Sequence, residues 1–356
     1  MDISIPYYSD TSRISNSNIG WFLNKGPAFL HKMLTEDIPE DKSPALERGS
    51  MIHMYILQPE EFQKTYVVWD KSRPTSGQQE EFCQALANSL EIEPNKAVLD
   101  AYKKAYSTKG KSEATMLSEG LKIASTLKDY IAFLKEDSGR IMISHWDYKI
   151  LETIRLNIVA HKAANLIVWP GNKGWKDDYS NGAHFETANK TMYHEFHINW
   201  EYPVIYNIDI GQHETEHGKY IIKCKSLLDG LTLDFKNKIA TIYDLKTTQK
   251  LWHFEDSIDQ YDYLRQLMYY TMAVKWYLKN ECNEDPDKWE FRYYIIGIDT
   301  TCFNEIRVFE IDQYMVQSRE AIIHRAITHI GWHQMNNKWD HSREYYEGDG
   351  SETLNL

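Results

Sequence analysis

The segment 227–246, LLDGLTLDFKNKIATIYDLK, decides which fold the central part of this chain can adopt. Two apolar runs flank the pair Lys236-Asn237, and this pattern predicts a β-hairpin with that pair at its tip. A two-residue loop fixes the register of an antiparallel hairpin, and here it brings Asp229 directly opposite Asp244. The Cβ atoms of these two residues would then be about 5 Å apart.

A lysine accompanies the second of these carboxylates. Lys246 follows Asp244 by two residues, so both side chains point to the same face of the strand. The two charges predict either a structural ion pair or half of a metal-dependent active site. The opposed Asp229 favours the second interpretation, because facing carboxylates repel unless a cation lies between them. In this register Asp234 pairs near Ile239 and faces away, but a different loop would break the register, so Asp234 remains an alternative second carboxylate.

Bulk composition limits the class of protein. The chain has 356 residues, of which 42% are hydrophobic and 26% are charged, as in ordinary globular proteins. No apolar run approaches the roughly 18 to 20 residues of a membrane helix, and we expect neither export nor a membrane. Four scattered cysteines argue against disulfides, structural zinc and iron–sulfur clusters, and favour a reducing cytoplasm. The formal net charge of −12 means that any contact with nucleic acid must use a local basic groove and bound cations.

Periodicity predicts an α/β (α+β) chain with a mixed central sheet flanked by helices and with a helical insertion. Residues 1–40 carry a loop and a short helix, and the two runs TMYHEFHINWE and PVIYNIDIG predict two separate strands. The predicted domains are 1–74, the first part of the core; 75–166, a helical insertion; 167–340, the sheet and helices of the core; and 341–356, a flexible acidic tail.

A helix with clear end signals precedes the insertion. Ser43 is a suitable N-cap, Pro44 suits the first helical position and Pro59 follows the end. Gly49 and His53 are four residues apart and therefore share one face of this helix. The missing side chain at position 49 would let the helix approach a sheet closely. Taken alone, a helical histidine is more typical of ordinary packing.

Further candidate residues each have an ordinary interpretation as well. Glu195, on a predicted inner strand, is either a further metal ligand or a solvated strand residue. Gln266 and Tyr270 share a helix face, which is also the pattern of amphipathic packing. Lys103 and Lys104, beside tyrosines, fit either a contact to the DNA backbone or a solvated helix end.

Four motifs in order resemble those of PD-(D/E)XK nucleases of the exodeoxyribonuclease VIII (RecE-like) and RecB type, which are commonly encoded by phages. The family carries Gly-x-x-x-His on a helix, Asp on a strand, Asp/Glu-x-Lys on the next strand and Gln-x-x-x-Tyr on the following helix. The matching residues here are Gly49, His53, Asp229, Asp244, Lys246, Gln266 and Tyr270. The resemblance covers residues 14–65 and 190–300, with a slightly longer gap between the two aspartates and without the cluster cysteines of some relatives.

The resemblance implies a Mg²⁺- or Mn²⁺-dependent exonuclease that hydrolyses phosphodiester bonds at duplex DNA ends, in phage recombination or replication. The implied metal ligands are Asp229, Asp244, His53 and the backbone carbonyl of Leu245, with Glu195 as a further candidate. Lys246 would act on the attacking water, and Gln266 and Tyr270 would support the site. The resemblance also implies a single-strand annealing protein as partner, a ring-shaped homo-oligomer and the cytoplasm of the host cell.

Two other functions are compatible with the same residues. One is a non-catalytic module that keeps the fold and binds DNA or a recombination partner, although the joint presence of Asp229, Asp244 and Lys246 argues against it. The other is a structure-specific endonuclease.

Overall fold

The chain forms two compact units. The computed structural model describes residues 7–36, 43–136, 139–169, 184–187, 189–211 and 214–351. Residues 1–60 and 151–356 form one unit, and residues 61–150 form the other, which begins and ends earlier than the predicted insertion 75–166. Among the described residues, no helix has the length and apolarity that a membrane crossing needs.

Helices and strands alternate along the chain in blocks. The helices are α1 (Asn16–Thr35), α2 (Pro44–Leu57), α3 (Pro59–Thr65), α4 (Gly77–Ala87), α5 (Pro94–Ala105), α6 (Glu113–Thr126), α7 (Lys128–Lys135), α8 (His145–Ala160), α9 (Lys162–Val168), α10 (Phe254–Gln260), α11 (Tyr263–Asn280), α12 (Gln313–Gln317), α13 (Glu320–Asn336) and α14 (Arg343–Glu347). The strands are β1 (Tyr66–Trp69), β2 (Ile141–Ser144), β3 (His184–Thr187), β4 (Lys190–Gly211), β5 (Glu214–Asp234), β6 (Ile239–Thr248), β7 (Glu290–Asp299) and β8 (Ile306–Ile311).

The larger unit is built on a six-stranded mixed sheet. Its strand order is β3-β4-β5-β6-β7-β8, and every neighbouring pair is antiparallel except the parallel pair β6–β7. Helices α11 and α13 pack against strands β4 and β5, and Gly331 of α13 lies against the Val204 and Ile222 side chains. The predicted α+β class, with a mixed sheet flanked by helices, is confirmed.

The smaller unit, residues 61–150, is mainly helical but contains a short parallel sheet. Tyr66 to Trp69 of β1 pair with Ile141 to Ser144 of β2. The prediction of helix throughout 75–166 is therefore wrong at β2. A run of four residues is too short to show a period, and its partner strand lies far earlier in the chain. The helical core of this unit contains Phe82, Cys83 and Tyr102.

Strand β4 is one long strand where the sequence predicts two. Pro203 sits inside it and pairs with Ile221 of β5. A proline has no N–H to donate, so it is tolerated where that side of the strand is an edge. In the described residues the other edge of β4 pairs with β3 only as far as Tyr193, which leaves Pro203 on such an edge.

The first and last predicted segments also differ from expectation. The predicted short helix near the N-terminus is a helix of 20 residues, α1, with a kink at Gly26 (φ 84°) before Pro27. Helix α14 lies within the segment 341–356 that the sequence predicts to be a flexible tail, and residues 352–356 lie outside the described part.

Candidate active site

The site forms where two neighbouring strands separate. Pairing between β5 and β6 ends at Gly230 and Tyr243, whereas β5 continues along β4 and β6 continues along β7. The register is the one that the hairpin predicts, but the ladder stops one residue before Asp229 and Asp244 would pair. Instead, the Leu245 N–H donates a hydrogen bond of 2.6 Å to Asp229 Oδ2. We call this separation of β5 and β6, beyond Gly230 and Tyr243, the fork. The Asp229 carboxylate therefore satisfies the first backbone donor that the fork exposes.

A glycine makes the last pair before the fork possible. A Cβ atom at Gly230 would lie 1.9 Å from the Tyr243 ring, which crosses directly over this position. Tyr243 is fully buried. The Tyr243 ring thus fills the space of the missing side chain. Asp229, the residue before Gly230, is the next residue of β5 toward the fork.

Helix α2 brings an imidazole to this fork. Ser43 caps its N-terminus by accepting from the Leu46 N–H, and Pro44 occupies the first position. Gly49 faces β6 so closely that a Cβ there would lie 3.1 Å from Thr247 Oγ1. One turn further on, His53 Nδ1 is 3.6 Å from Asp229 Oδ2.

The imidazole of His53 is held in its neutral form. It also hydrogen-bonds to the Leu245 backbone carbonyl, so the sequence-predicted metal ligand at this carbonyl already has a partner. Burial lowers the pKa of His53, with Asp229 opposing the shift. A neutral imidazole keeps a lone pair for a metal ion.

Glu195 completes a cluster of three possible ligands. The flanking pairs His194–Gly230 and Phe196–Leu228 place Glu195 opposite Asp229. Its backbone is in the left-handed region, with φ 47°, although it lies within strand β4. One ligand atom from each of His53, Glu195 and Asp229 lies within 4.8 Å of the others. Strained backbone of this kind is common at functional sites, because the surrounding structure has to enforce it.

Asp244 lies beside this cluster and is held by two other residues. Its Oδ2 is 2.6 Å from Lys246 Nζ, and its Oδ1 accepts a hydrogen bond of 2.9 Å from Gln266 Nε2. Gln266 Nε2 also donates to the Tyr270 hydroxyl at 2.7 Å. Because alternate residues of a strand face the same side, Asp244 and Lys246 both point to α11, which carries Gln266 and Tyr270. The structure thus joins the Asp-x-Lys and Gln-x-x-x-Tyr residues into one network.

The site has more buried acids than cations. Burial, together with Asp229 and Asp244, raises the pKa of Glu195 to about 8. Burial also raises the pKa of Asp244 to about 7, with Asp229 adding to the shift and Lys246 opposing it. Burial opposes the charge of Lys246 as well, but Asp244 and Asp229 outweigh that effect and raise the pKa of the lysine. Three carboxyl groups share one ammonium, and a further cation would relieve their repulsion.

The donor set suits a hard divalent ion. Carboxylate oxygens from Glu195 and Asp229, with one imidazole nitrogen from His53, are ligands that Mg²⁺ or Mn²⁺ accepts. Asp244 Oδ2 adds a buried oxygen that contacts Lys246 but makes no hydrogen bond of normal geometry in the described part of the chain.

Other candidate residues lie outside this network. Asp234 accepts from the Asn237 backbone and side-chain amides and pairs with Lys190, so it stabilises the hairpin turn. In the smaller unit Lys103 forms an ion pair with Glu113 at 2.7 Å, and Lys104 is exposed. An exposed pair of this kind contributes little to stability, so a contact of Lys103 or Lys104 with DNA stays a prediction.

One site residue escaped the sequence analysis. Lys246 Nζ lies 4.8 Å from the centre of the Tyr263 ring, within the range of a cation–π interaction. Tyr263 precedes Gln266 by three residues on α11, so the two side chains share a helix face. That spacing is the signal by which the sequence points to Tyr263.

Comparisons with known proteins add little to this geometry. No family model matches the chain, and no curated protein matches it. Among solved structures, it is similar to a crystal structure from Eubacterium rectale described as a "Putative exonuclease". The two chains are 13% identical, the alignment covers 100% of this chain and 96% of the other, and the TM-score is 0.45. Similarity at this level is too low to assign a fold or an activity.

Proposed function

We propose that this protein is a metal-dependent deoxyribonuclease that hydrolyses phosphodiester bonds, acting as an exonuclease on duplex ends. The observation that carries the proposal is the fork between β5 and β6. There three carboxyl groups, two of them buried, meet one imidazole and one charged lysine, although they come from four separate segments of the chain. A structural ion pair needs one acid and one base, whereas this site has an excess of acids.

The residues that would hold a divalent cation are Asp229, Glu195 and His53, with Asp244 beside them. When bound there, Mg²⁺ or Mn²⁺ would lower the pKa of an attacking water and neutralise charge that develops on the phosphoryl oxygens. Burial lowers the pKa of His53, and this shift favours the neutral imidazole that a metal ion needs as a ligand.

The protein's own groups would orient the reacting atoms. The Lys246 ammonium stays charged beside Asp244, so it would donate a hydrogen bond to a phosphate oxygen or to the attacking water. Gln266 fixes one oxygen of Asp244 and thereby keeps the other toward the lysine. Tyr270 holds Gln266 in turn and acts only through it.

The choice of DNA ends as substrate is supported by the order of the motifs, which resembles that of RecE-like exonucleases. The same resemblance supports a role in phage recombination or replication. With a net charge of −12, binding of DNA would depend on the bound cations and on local lysines.

Degradation of linear duplex DNA by the purified protein is the direct test. We expect release of nucleotides from linear DNA with Mg²⁺ or Mn²⁺, none with chelator, and no cutting of a covalently closed circle. Cutting of the closed circle would show that the protein is an endonuclease and not an exonuclease. Binding of DNA without hydrolysis under any metal would favour the non-catalytic module.

A second prediction concerns the close approach of α2 to β6. In Gly49→Leu the added side chain has no room against Thr247, so we expect a loss of about 1–3 kcal/mol in the free energy of unfolding and a clear loss of cleavage as His53 moves. The matched change Gly49→Ala adds only one carbon and gains about 1 kcal/mol of helix propensity, so it should stay close to wild type. Thermal unfolding and cleavage rates of both variants check this. Equal activity of the two variants would mean that the close approach does not position His53.

A further inference from the structure

A second aromatic ring extends the site toward solvent. Tyr263, which contacts Lys246, stacks on Tyr261 with ring centres 5.7 Å apart and planes at 21°. Tyr261 is 58% exposed. The exposed ring is thus only two contacts from the active-site lysine, and those contacts are 4.8 and 5.7 Å long.

The segment that carries Tyr261 is held firmly. Asp262, between the two tyrosines, has left-handed backbone geometry (φ 47°). Its Oδ1 accepts from Arg319 Nε at 2.9 Å and its Oδ2 pairs with Arg265 Nε at 3.3 Å. On its inner side Tyr263 stacks near Phe254, which is buried, with ring centres 6.1 Å apart. Two arginines and a core aromatic residue therefore fix the direction in which Tyr261 points.

The charge around Tyr261 argues against a contact to phosphate there. Helix α10, directly before it, carries the exposed acids Glu255, Asp256 and Asp259. Acidic groups repel the DNA backbone, whereas a flat aromatic ring attracts the face of a nucleobase whatever its identity. A base inside a duplex has both faces covered by its neighbours. The last base pair of a blunt end exposes only its outer face together with its complement, whereas an unpaired or frayed base can offer its face to Tyr261 alone.

We propose that Tyr261, backed by Tyr263, is a stacking platform for an unpaired base adjoining the phosphate that Lys246 contacts. The proposal rests on the proposed function and specifies its substrate: frayed or single-stranded DNA ends are cut in preference to blunt ends. Stacking at this position keeps the strand to be cut apart from its complement and sets the distance of the terminal phosphate from Lys246.

The binding test uses Ca²⁺ in place of Mg²⁺ and an oligothymidylate that ends in the fluorescent base 2-aminopurine. Stacking on an aromatic ring quenches this base. We expect Tyr261→Leu, which keeps an apolar side chain but has no π face, to lose the quenching and to weaken binding by about five- to hundredfold. Tyr261→Phe keeps the ring and should bind like the wild type. The two variants differ only at an exposed position, so both should unfold at the wild-type temperature.

The cleavage test compares kcat/KM for matched linear duplexes with blunt ends and with ends that carry three unpaired bases. The wild type and Tyr261→Phe should prefer the unpaired ends, and Tyr261→Leu should lose most of that preference. If the wild type cleaves DNA but the Leu and Phe variants bind and cleave alike, the stacking proposal is overturned and the nuclease proposal stands. If the wild type neither cleaves DNA nor quenches the base, both proposals are overturned.

Discussion

Asp244→Asn is expected to abolish DNA cleavage, with a fall of at least about a thousandfold, while the folded protein is no less stable than the wild type. The substitution keeps the shape of the side chain and the contact with Gln266 but removes one negative charge. Because burial and Asp229 raise the pKa of Asp244 to about 7, its ionised form is unfavourable in the folded protein at neutral pH. That cost grows as the pH rises from the unfolded pKa to the folded one, and asparagine removes it. Cleavage rates and thermal unfolding in chelator measure the two effects.

Lys246→Ala is expected to abolish cleavage to the same degree but to lower stability. It removes the cation that lies 2.6 Å from Asp244 and leaves the buried acids without a charged partner, which typically costs about 3–5 kcal/mol. The opposite signs of the two stability changes, with the same loss of activity, are the signature of a site with excess negative charge.

Glu284→Gln is the matched control for these two variants. Glu284 is an acid held by a lysine, Lys238, at 2.7 Å, but at the opposite end of β6. The Glu284→Gln variant should cleave DNA at the wild-type rate. If Asp244→Asn retained more than a tenth of that rate, Asp244 would not belong to the reacting centre.

The register of the central hairpin could be predicted from sequence because the connection is centred on Lys236-Asn237, and lengthening it by one residue on each side keeps the same cross-strand pairs. The turn is longer than predicted: β5 ends at Asp234 and β6 begins at Ile239, and residues 235–238 connect them. The register is nevertheless the predicted one, since Asp234 pairs with Ile239. The α2 helix could also be predicted well, because Ser43, Pro44 and Pro59 mark its ends by local backbone chemistry.

The fork itself could not be predicted from sequence. Separation of β5 from β6 depends on the rest of the sheet, since β5 continues along β4 and β6 along β7. The left-handed backbone at Glu195 is likewise invisible in sequence, because only tertiary contacts hold a non-glycine residue there. The sequence could suggest Glu195 as a ligand by residue type alone.

Asp229→Asn is expected to abolish both cleavage and tight binding of Mn²⁺, whereas Asp234→Asn should keep both. The two aspartates lie five residues apart on β5, which is about 17 Å along a strand. Asp229 lies within reach of His53 and Glu195 and accepts from the Leu245 N–H. Asp234 is occupied by Asn237 and Lys190 at the hairpin turn, and these partners lower its pKa to about 2 although burial opposes the shift.

The same contacts predict that Asp234→Asn lowers stability and keeps metal binding, whereas Asp229→Asn loses metal binding and changes stability much less. Asp234→Asn loses a charged acceptor, so it should cost about 1–3 kcal/mol of stability at pH 7. That loss should disappear in acid, because a carboxylate with a lowered pKa stabilises the fold above its unfolded pKa and ceases to do so as the pH falls through the folded value. Asp229→Asn should change stability in chelator much less, because the buried acids there repel one another. Calorimetric titration with Mn²⁺ and denaturation at two pH values distinguish the variants. A Mn²⁺ affinity lost in Asp234→Asn and kept in Asp229→Asn would move the metal centre to the hairpin turn and overturn the site at the fork.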